Sequence, residues 1–507
     1  MLTKNKRFTF LLVFLMLVTI TNAQETFKPE WKSLNKHKVT PEWFADAKLG
    51  VYFHWGVYNV PANGNEWYGR FMYEHDRKKN WGKDVYNYHT KTYGRDKHYH
   101  DFIPEWKGEK FSAKRWVDMF ENMGAKFIGT IAEHHDGFSL WESEVNPWNS
   151  KVMGPKIDVV KEMALEVKKR DLKFMTTFHH GFHMMFFPKR ENSVLRPVSQ
   201  HAKAYKTLEF PEGGKYDILY GNTSYKEECD IWLGKLNEVI DAYCPDYIWM
   251  DFAQGYVEEG YRKQFLANYF NKAATLNKEV VVNTKGDFFP TDLAVVNVER
   301  ATMEDIMPFV WVTDFQLGSS WGYNKDKRTA LNPVKAIRIL AEVVSKNGVM
   351  ILAAAPMAEG IIPEEQANAM AGIGRWLKLY GEAIYNTRPF VEFGQGPTEL
   401  KRNPNDDWNA YGSIKAGLND LNAQDIRYTK KEKTVYAIQL GWPGAKQDVI
   451  LKTFAGKAKG MQIKSVSVLG SKERIKWSIS KTGLKVTSPK KKPAEGDAAI
   501  VYKIKLK

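Results

Sequence analysis

Two short segments of the chain combine the residue types that carry out acid–base and nucleophilic chemistry. One is residues 133–141 (EHHDGFSLW), and the other is residues 247–251 (YIWMD). In both, histidine and carboxylate side chains come where a strand-length apolar run stops. In a barrel of alternating parallel strands and helices, the active site is built at that end of the strands. The two segments therefore predict a polar rim on such a barrel.

Eight strand-like runs lie in the first 360 residues, and several are separated by segments with helical spacing, such as Trp116, Val117, Phe120 and Met123. Alternating strands and helices indicate parallel pairing, and eight such units predict a closed (β/α)8-like barrel. Little helical sequence separates the fifth, sixth and seventh runs. The runs are residues 49–53, 126–132, 173–178, 247–250, 280–282, 293–298, 309–313 and 349–354.

The sequence changes character after Arg388 and Pro389. Short runs of alternating polar and apolar residues, separated by Gly, Pro and Lys, replace the helical patterns and predict a β-sandwich. The predicted fold class is α/β, with a (β/α)8-like catalytic barrel followed by a C-terminal β-sandwich. The predicted domain limits are 1–23 for a signal peptide, 24–390 for the barrel and 396–507 for the sandwich.

The first residues have the pattern of a secretory signal peptide. Lys4, Lys6 and Arg7 precede an apolar run over residues 8–20, and a small-residue cleavage site ends at Ala23. No other segment is long and apolar enough to span a bilayer. We therefore expect a secreted or periplasmic protein without a membrane span.

The two cysteines, Cys229 and Cys244, lie near opposite ends of a predicted helix over residues 225–243. A rise of about 1.5 Å per residue separates them by roughly 20 Å, which is beyond disulfide reach. We expect neither a disulfide nor a cysteine metal site.

The positive charge of the chain is concentrated at its C-terminal end. The formal net charge is +15, and residues 396–507 contain 23 Lys and Arg against 10 Asp and Glu. Such a basic module could face an anionic polymer or a membrane surface, or its lysines could simply keep a sheet soluble. No nucleic-acid-binding motif is present, and we predict no nucleic-acid partner.

The residues that follow the predicted strands form an inventory of the rim. Adjacent residues of a strand point to opposite faces, so one histidine of each pair is expected to face the lumen. In the pair after the third strand, we predict that His180 is the substrate-binding residue. Histidines with a carboxylate could ligate a metal. Histidine, Trp, Asn and Glu side chains together also suit the binding of a sugar. We predict no metal and no other cofactor. The rim residues are His54, Asn65, Glu66, Trp67, Glu133, His134, His135, Asp136, His179, His180, Asp251, Asn283, Thr284, Lys285, Glu299, Arg300 and Asp314.

Two carboxylates on one rim would serve glycoside hydrolysis. In the retaining reaction, one carboxylate attacks the anomeric carbon and the other protonates the leaving oxygen. Asp251 is the nucleophile candidate because it ends an apolar strand and should be held rigidly. The acid needs a raised pKa, and the candidates are Glu299, Glu304 and Asp314.

Several blocks of the chain resemble the α-L-fucosidases of glycoside hydrolase family 29. The blocks are residues 43–73, residues 124–143, the IWMD segment, SSWGYNKD at 319–326 and GEAIYNTRP at 381–389. The resemblance covers nearly the whole mature chain and implies a barrel followed by a sandwich. It implies that Asp251 is the nucleophile and that His54, Glu66, Trp67, His134, His135 and Trp249 surround the fucose ring.

The chain departs from the family pattern at several rim positions. Many members carry Trp-Glu-Thr before the SWGY block, with that Glu as acid/base, whereas here Val312 follows Trp311. Other members place the acid nearer the nucleophile, a pattern that Glu299 fits best, with Asp314 and Glu304 as alternatives. Lys285 stands where the family usually has Arg, which adds it to the predicted substrate-binding residues.

The predicted function is an exported retaining exo-glycosidase that removes terminal α-L-fucose from a glycan or polysaccharide. The Lys285 exchange and the basic sandwich suggest a sulfated polysaccharide as one source of substrate. The alternatives are a non-catalytic glycan-binding protein with a degenerate acid/base, a glycosidase of shifted specificity such as an α-galactosidase, and a metal-dependent hydrolase. The oligomeric state is not predicted.

Overall fold

The computed structural model describes residues 26–75, 81–187, 213–286, 288–402 and 410–507. Eight parallel strands follow one another in chain order around a closed barrel, and the eighth pairs with the first. The predicted barrel is therefore confirmed. Its strands are β1 (Leu49–Phe53), β2 (Phe127–Glu133), β3 (Lys173–Phe178), β4 (Tyr247–Met250), β5 (Val281–Thr284), β6 (Val295–Glu299), β7 (Trp311–Gln316) and β8 (Gly348–Ala354).

Helices surround the barrel and connect most of its strands. The α-helices of the described residues are α1 (Trp31–Leu34), α2 (Glu42–Ala47), α3 (Tyr68–Phe71), α4 (Val85–Tyr93), α5 (Ala113–Met123), α6 (Val159–Lys168), α7 (His183–Phe186), α8 (Lys215–Tyr220), α9 (Tyr225–Tyr243), α10 (Glu259–Thr275), α11 (Pro333–Ser345) and α12 (Glu364–Tyr380). Short 3-10 helices lie at Val57–Asn59, Tyr99–Glu105, His180–Phe182, Gln254–Tyr256, Gly381–Ala383, Ala410–Gly412 and Lys452–Phe454.

Helix α5 illustrates how local sequence sets these elements. The Ser112 side chain accepts the N–H of Arg115 and caps the first turn, and Gly124, with a φ of 105°, ends the helix in the left-handed region. Trp116 and Phe120, one turn apart, are buried as their spacing predicts.

The barrel strands are buried along almost their whole length, as expected where both faces of a parallel sheet are covered. Between β5 and β6, and between β6 and β7, the described residues contain no α-helix. Part of this side is covered by the C-terminal half of the chain. Ile414 pairs with Thr302, and the Tyr411 hydroxyl donates to the carbonyl of Gly286 at 2.9 Å.

Strand β7 runs to Gln316 and so extends beyond the predicted run of 309–313. Asp314 therefore lies inside the strand, opposite Glu299 of β6 and Ile351 of β8, instead of following its end. This register difference changes what Asp314 can contact.

The C-terminal half forms two antiparallel sheets, so the predicted sandwich is confirmed. The five-stranded sheet has the order β13-β16-β11-β10-β9, and the three-stranded sheet has the order β12-β15-β14. The strand β9 begins inside the range predicted for the barrel but pairs with β10. The strands are β9 (Arg388–Gln395), β10 (Ile426–Lys431), β11 (Thr434–Gln439), β12 (Asp448–Leu451), β13 (Ile463–Val468), β14 (Trp477–Ser480), β15 (Gly483–Thr487) and β16 (Ile500–Leu506).

A buried ion-pair network joins the barrel to the sandwich. Glu342 on α11 contacts the Arg427 guanidinium from β10, and it also binds the Lys346 ammonium at 2.6 Å. All three side chains are at most 3% exposed, so the two domains share a polar, fully enclosed contact.

Two expectations about the rest of the chain can be compared with the structure. Cys229 and Cys244 are both buried free thiols. In the parts of the chain that the structure describes, no helix combines the length and apolar character that crossing a bilayer would require. The predicted signal peptide lies outside the described residues.

Candidate active site

Asp251 follows the last residue of β4, and two side chains fix the backbone around it. The Asn283 amide donates to the carbonyl of Met250 at 2.9 Å and accepts its N–H at 2.8 Å. Gln254 donates to the carbonyl of Asp251 itself at 3.2 Å. Ala253 has a φ of 70°, a conformation that non-glycine residues seldom adopt and that often occurs at functional sites. The backbone therefore presents the Asp251 carboxylate in a defined orientation.

The Asp251 carboxylate is surrounded by donors although it is only 5% exposed. Lys285 Nζ lies 2.8 Å from Oδ1, His179 Nδ1 lies 2.9 Å from Oδ2, and His135 Nε2 lies 3.4 Å from Oδ2. Burial by itself would raise the pKa of this carboxyl, but the Lys285 ammonium and the two imidazoles outweigh it and hold the pKa well below the usual value. Asp251 is therefore ionised at neutral pH.

Lys285 also contacts a second carboxylate, that of Glu299 at the end of β6. Its Nζ lies 2.8 Å from Glu299 Oε2, which limits the distance between the contacted oxygens of Asp251 and Glu299 to at most about 5.6 Å. The pKa of Glu299 would be raised by burial, but Lys285 and Arg300 lower it below the usual value. The Glu299 side chain is 19% exposed and reaches the mouth of the barrel, where a leaving group could reach it.

The other two acid candidates occupy different environments. Asp314 is 1% exposed and accepts a hydrogen bond from Asn297 Nδ2 at 3.2 Å. Burial raises its pKa to about 7 against the opposing effect of Lys285. It is therefore partly protonated near neutral pH, in a place closed to solvent. Glu304 is exposed in the β6–β7 connection.

Three histidines from different strand ends meet beside Asp251. The rings of His54 and His134 lie 5.7 Å apart between centroids, and His179 lies 5.5 and 4.9 Å from them. Burial holds the pKa of all three imidazoles below the usual value, so they are neutral at pH 7. The Nδ1 atoms of His54 and His134 are buried and have no partner among the described residues. They can exchange hydrogen bonds with sugar hydroxyls.

Glu66 lies on the opposite side of the site against the loop after β7. Its carboxylate accepts the N–H of Gly322 at 3.1 Å, and burial raises its pKa to about 7. Trp321 of the same loop lies 5.6 Å from the ring of His54. A carboxyl that is partly protonated near neutral pH can donate to a hydroxyl as well as accept from one.

Aromatic rings provide the apolar walls of the site. Trp67 lies 5.0 Å from the ring of His135 and 6.4 Å from the nearly parallel ring of Phe252. Trp249, two residues before Asp251, lies below the Lys285 ammonium at 5.1 Å. A ring of a sugar presents apolar C–H faces and polar edges, and this mixture of rings and donors is complementary to it.

The structure places His180 away from this cluster and puts His179 beside Asp251. The Nε2 of His180 interacts with the Trp232 carbonyl at 3.2 Å, and its ring stacks on the Trp232 ring. Strand alternation does not decide the direction here, because both histidines follow the end of β3. For the same reason His134 and His135, which follow β2, both face the site.

Three residues of the site were not among the predicted substrate-binding residues: His179, Trp321 and Phe252. His179 belonged to the rim inventory, and only the choice within its pair was different. Trp321 was within a quoted family block, and Phe252 directly follows the nucleophile motif. Their positions depend on how loops fold over the rim, for which spacing gives no signal.

Two groups of side chains could hold a metal ion among the described residues. They are His54, His134 and His179, and His135, His179 and Asp251, with ligating atoms within 4.8 Å of one another in each group. Both groups coincide with the histidines around the carboxylates, so a metal there would occupy the space described above for a sugar.

The fold and the site together define a class of protein. Two carboxylates at strand ends of a (β/α)8 barrel, one ionised and buried and the other at the mouth, are the arrangement that glycoside hydrolysis uses. The surrounding imidazoles, the carboxyl of Glu66 and the Trp faces fit a pyranose ring. The molecule has the architecture of a glycoside hydrolase.

Comparison with known families agrees with this class. The α-L-fucosidase family matches residues 14–382, and the α-L-fucosidase C-terminal domain family matches residues 418–507. The chain belongs to the α-L-fucosidase family of glycoside hydrolases, as its sequence blocks indicated.

Individual relatives are similar over nearly their whole length. A human plasma α-L-fucosidase is 28% identical over 486 residues, which cover 91% of this chain and 88% of the relative. A bovine tissue α-L-fucosidase is 28% identical over 493 residues, with 95% and 91% covered. The structure of a Thermotoga maritima α-fucosidase in complex with fucose superposes with a TM-score of 0.71 and 27% identity, over 94% of this chain and 100% of the other.

Proposed function

We propose that this chain is an exported retaining exo-α-L-fucosidase, with Asp251 as nucleophile and Glu299 as acid/base. The observation that carries the proposal is the pair of contacts from Lys285 to both carboxylates. The two oxygens that Lys285 contacts, one from each carboxylate, are at most about 5.6 Å apart. Retaining glycosidases hold their two carboxyl groups about 5–5.5 Å apart, and inverting enzymes need about 6.5–9.5 Å to admit a water.

The reaction has two steps. Because Lys285 and Arg300 favour the ionised form of Glu299, this side chain takes up a proton from solvent before the first step. Asp251 attacks the anomeric carbon while Glu299 gives its proton to the leaving oxygen, which forms a fucosyl ester on Asp251. Glu299 then removes a proton from water, which attacks the anomeric carbon and releases fucose. Once Asp251 is esterified, Lys285 keeps Glu299 as its anionic neighbour, which favours the carboxylate form that the second step requires.

The groups around the carboxylates support recognition of one terminal sugar. His54, His134 and Glu66 offer donors and acceptors to hydroxyls, and Trp67 offers an apolar face. A solved relative binds fucose, and another structure of the Thermotoga maritima enzyme, 26% identical, is a complex with a mechanism-based inhibitor. The first supports a fucose-binding site in this chain, and the second supports a catalytic role for that site.

The contacts of Lys285 bear on the nature of the substrate. Its ammonium is already neutralised by two carboxylates within 2.8 Å. The exchange from Arg to Lys at this position therefore gives no support to a sulfated fucose in the site. Fucosylated oligo- or polysaccharides remain the proposed substrates, and export is inferred from the basic and apolar residues before Ala23.

Hydrolysis of 4-nitrophenyl α-L-fucoside by the mature chain tests the proposal. We expect release that EDTA does not reduce, little release from the α-D-galactoside, and α-fucose as the first anomer seen by NMR. Asp251→Asn should abolish turnover with an unchanged circular dichroism spectrum. Full activity of that variant, or β-fucose as the first product, would refute the assignment.

A second variant assigns the acid. Glu299→Ala should slow a natural fucosyl glycan far more than the aryl fucoside, because 4-nitrophenolate leaves without protonation, and azide should restore activity as fucosyl azide forms. The same behaviour in Asp314→Ala, with Glu299→Ala unaffected by azide, would move the acid role to Asp314.

A further inference from the structure

The outer edge of the smaller C-terminal sheet exposes apolar side chains. Among the described residues, strand β14 pairs only with β15, in the sheet order β12-β15-β14. All four of its residues are exposed, with Trp477 at 36% and Ile479 at 59%. Edge strands of soluble proteins are usually blunted by charges or proline on their accessible side. The exposed indole and isoleucine at this edge therefore indicate that the surface has a function.

The register shows which face of the sheet these two side chains belong to. Trp477 is opposite Val486, and Ile479 is opposite Leu484. Both partners are fully buried in the sandwich core. Trp477 and Ile479 therefore continue the core-facing row of the sheet past the point where, among the described residues, other side chains cover it.

Basic residues flank this apolar strip in the chain and in the neighbouring turn. Lys476 and Lys481 flank β14 in the chain, and Arg474 lies two residues before Lys476. Lys490 is brought beside them because its N–H donates to the Glu473 carboxylate at 2.8 Å. We call Arg474, Lys476, Trp477, Ile479, Lys481 and Lys490 the edge patch.

The cations of the edge patch are not neutralised. Within the described residues, the side chains of Arg474, Lys476, Lys481 and Lys490 form no ion pair and are exposed, and the nearby acid Glu473 accepts from a backbone N–H. Neighbouring lysines differ in this respect: Lys485 pairs with Asp448 at 2.6 Å. Positive charge without an acidic partner thus accompanies the exposed apolar side chains of β14.

An anionic polysaccharide combines the two chemistries that the patch offers. Pyranose rings present C–H faces that pack on an indole, and sulfate esters accept charge-assisted hydrogen bonds from Lys and Arg. We propose that the edge patch is a non-catalytic binding site for a sulfated polysaccharide. Attached to a glycoside hydrolase, such a site raises the effective concentration of chain ends at the barrel.

Binding of dextran sulfate, with neutral dextran of the same length as reference, tests the proposal. Affinity electrophoresis of the mature chain in 0.15 M NaCl gives the dissociation constants. The triple variant Arg474→Gln, Lys476→Gln, Lys490→Gln should lose at least about tenfold in affinity for dextran sulfate, and Trp477→Ala should lose several-fold. Dextran should bind weakly in every case.

Matched controls separate a site from diffuse attraction. The barrel variant Lys161→Gln, Lys168→Gln, Lys335→Gln removes the same charge from exposed positions, and Leu165→Ala removes an exposed apolar side chain of the barrel. Both should bind as the unchanged chain does. Equal losses in the two triple variants, or equal binding of dextran, would overturn the proposal.

Two further readouts keep the outcome interpretable. Hydrolysis of the small aryl fucoside should be unchanged in all these variants, so a failure of the catalytic assignment is seen separately. In the unchanged chain, dextran sulfate should protect Lys476 and Lys490 from acetylation but not Lys161. Stronger protection of the patch by anionic phospholipid vesicles or duplex DNA than by dextran sulfate would contradict the choice of ligand.

Discussion

The charge balance of the site depends on the ammonium group of Lys285. It lies 2.8 Å from an oxygen of Asp251 and 2.8 Å from an oxygen of Glu299, and it is itself buried. Two buried carboxylates so close together would otherwise share a proton, because like charges raise each other's pKa. The lysine favours the ionised form of both, which the proposed nucleophile needs in the first step and the proposed acid/base needs in the second.

Replacing Lys285 should therefore move the pH dependence in a predictable direction. As the proposed nucleophile, Asp251 must be ionised to attack. Its pKa is held low, so activity should be lost only as the pH falls through that low value. In Lys285→Met the pKa of Asp251 rises, the acidic limb of kcat/KM moves to higher pH, and the maximum falls by about 10²-fold or more. Lys285→Arg keeps the charge and should leave the limb near its original position. An unmoved limb in Lys285→Met would contradict this role.

The adjacent histidines His179 and His180 provide a matched pair of variants. His179 donates from Nδ1 to the ionised Asp251, and a hydrogen bond to a charged group contributes about 1.5–3 kcal/mol. His179→Phe should therefore lower kcat/KM roughly 10- to 100-fold. His180→Phe should lower the melting temperature instead, because it removes the contact with the Trp232 carbonyl. Steady-state kinetics and a melting curve of each variant measure the two effects. Loss of activity in His180→Phe and loss of stability in His179→Phe would instead place His180 in the substrate site.

At the scale of the element, the ends of the barrel strands depend on side chains that replace backbone pairing. Strands β4 and β5 pair only at Tyr247 with Val281 and Ile248 with Val282. Beyond that point the Asn283 amide takes both backbone groups of Met250. The strands thus separate at the rim while their polar groups stay satisfied, which opens space for Asp251 and Lys285.

Asn283→Ala should consequently affect both stability and catalysis. It leaves the N–H and carbonyl of Met250 unsatisfied in a buried place, at a cost of about 2–4 kcal/mol in the free energy of unfolding. We expect kcat to fall while KM changes little, because Asp251 is misplaced but the hydroxyl-binding residues are kept. Urea unfolding and kinetics measure the two effects, and Asn268→Ala, an exposed amide, is the control. A stable variant with full kcat would show that the backbone pairing suffices.

The elements were more predictable from the sequence than the directions of their terminal side chains. Fully apolar runs such as residues 247–250 stop at a polar residue, and that pattern locates a strand and its rim end together. Asp314 was misplaced because β7 continues through polar residues that the apolar run does not include. The choice between His179 and His180 failed because alternation ends with the strand, and the double contact of Lys285 requires three strand ends to be placed in space.

At the scale of the whole molecule, the barrel and the sandwich are joined through buried charges. Glu342 lies between Arg427 and Lys346, and the three side chains are excluded from water. Removing one partner of such a group leaves a buried charge uncompensated, which costs about 3–5 kcal/mol. The sandwich is therefore attached to the barrel by this buried contact as well as by the chain itself. A single substitution in the contact should destabilise the attachment.

The pH dependence of that attachment has a definite sign. Burial would raise the pKa of Glu342, but Arg427 and Lys346 lower it below the ordinary value of 4.5. A carboxyl with a depressed pKa contributes stability above the unfolded-state pKa, and this contribution is lost as the pH falls through the folded-state value.

Glu342→Gln should thus be less stable than the unchanged chain by a constant amount above about pH 4.5, and the difference should shrink below it. Calorimetric unfolding between pH 3 and 8 measures both chains. Glu279→Gln, which breaks a half-exposed pair with Lys38, should leave the unfolding curve almost unchanged across this pH range. A difference for Glu342→Gln that grows as the pH falls would mean that the network is held together by something other than the charge of this carboxylate.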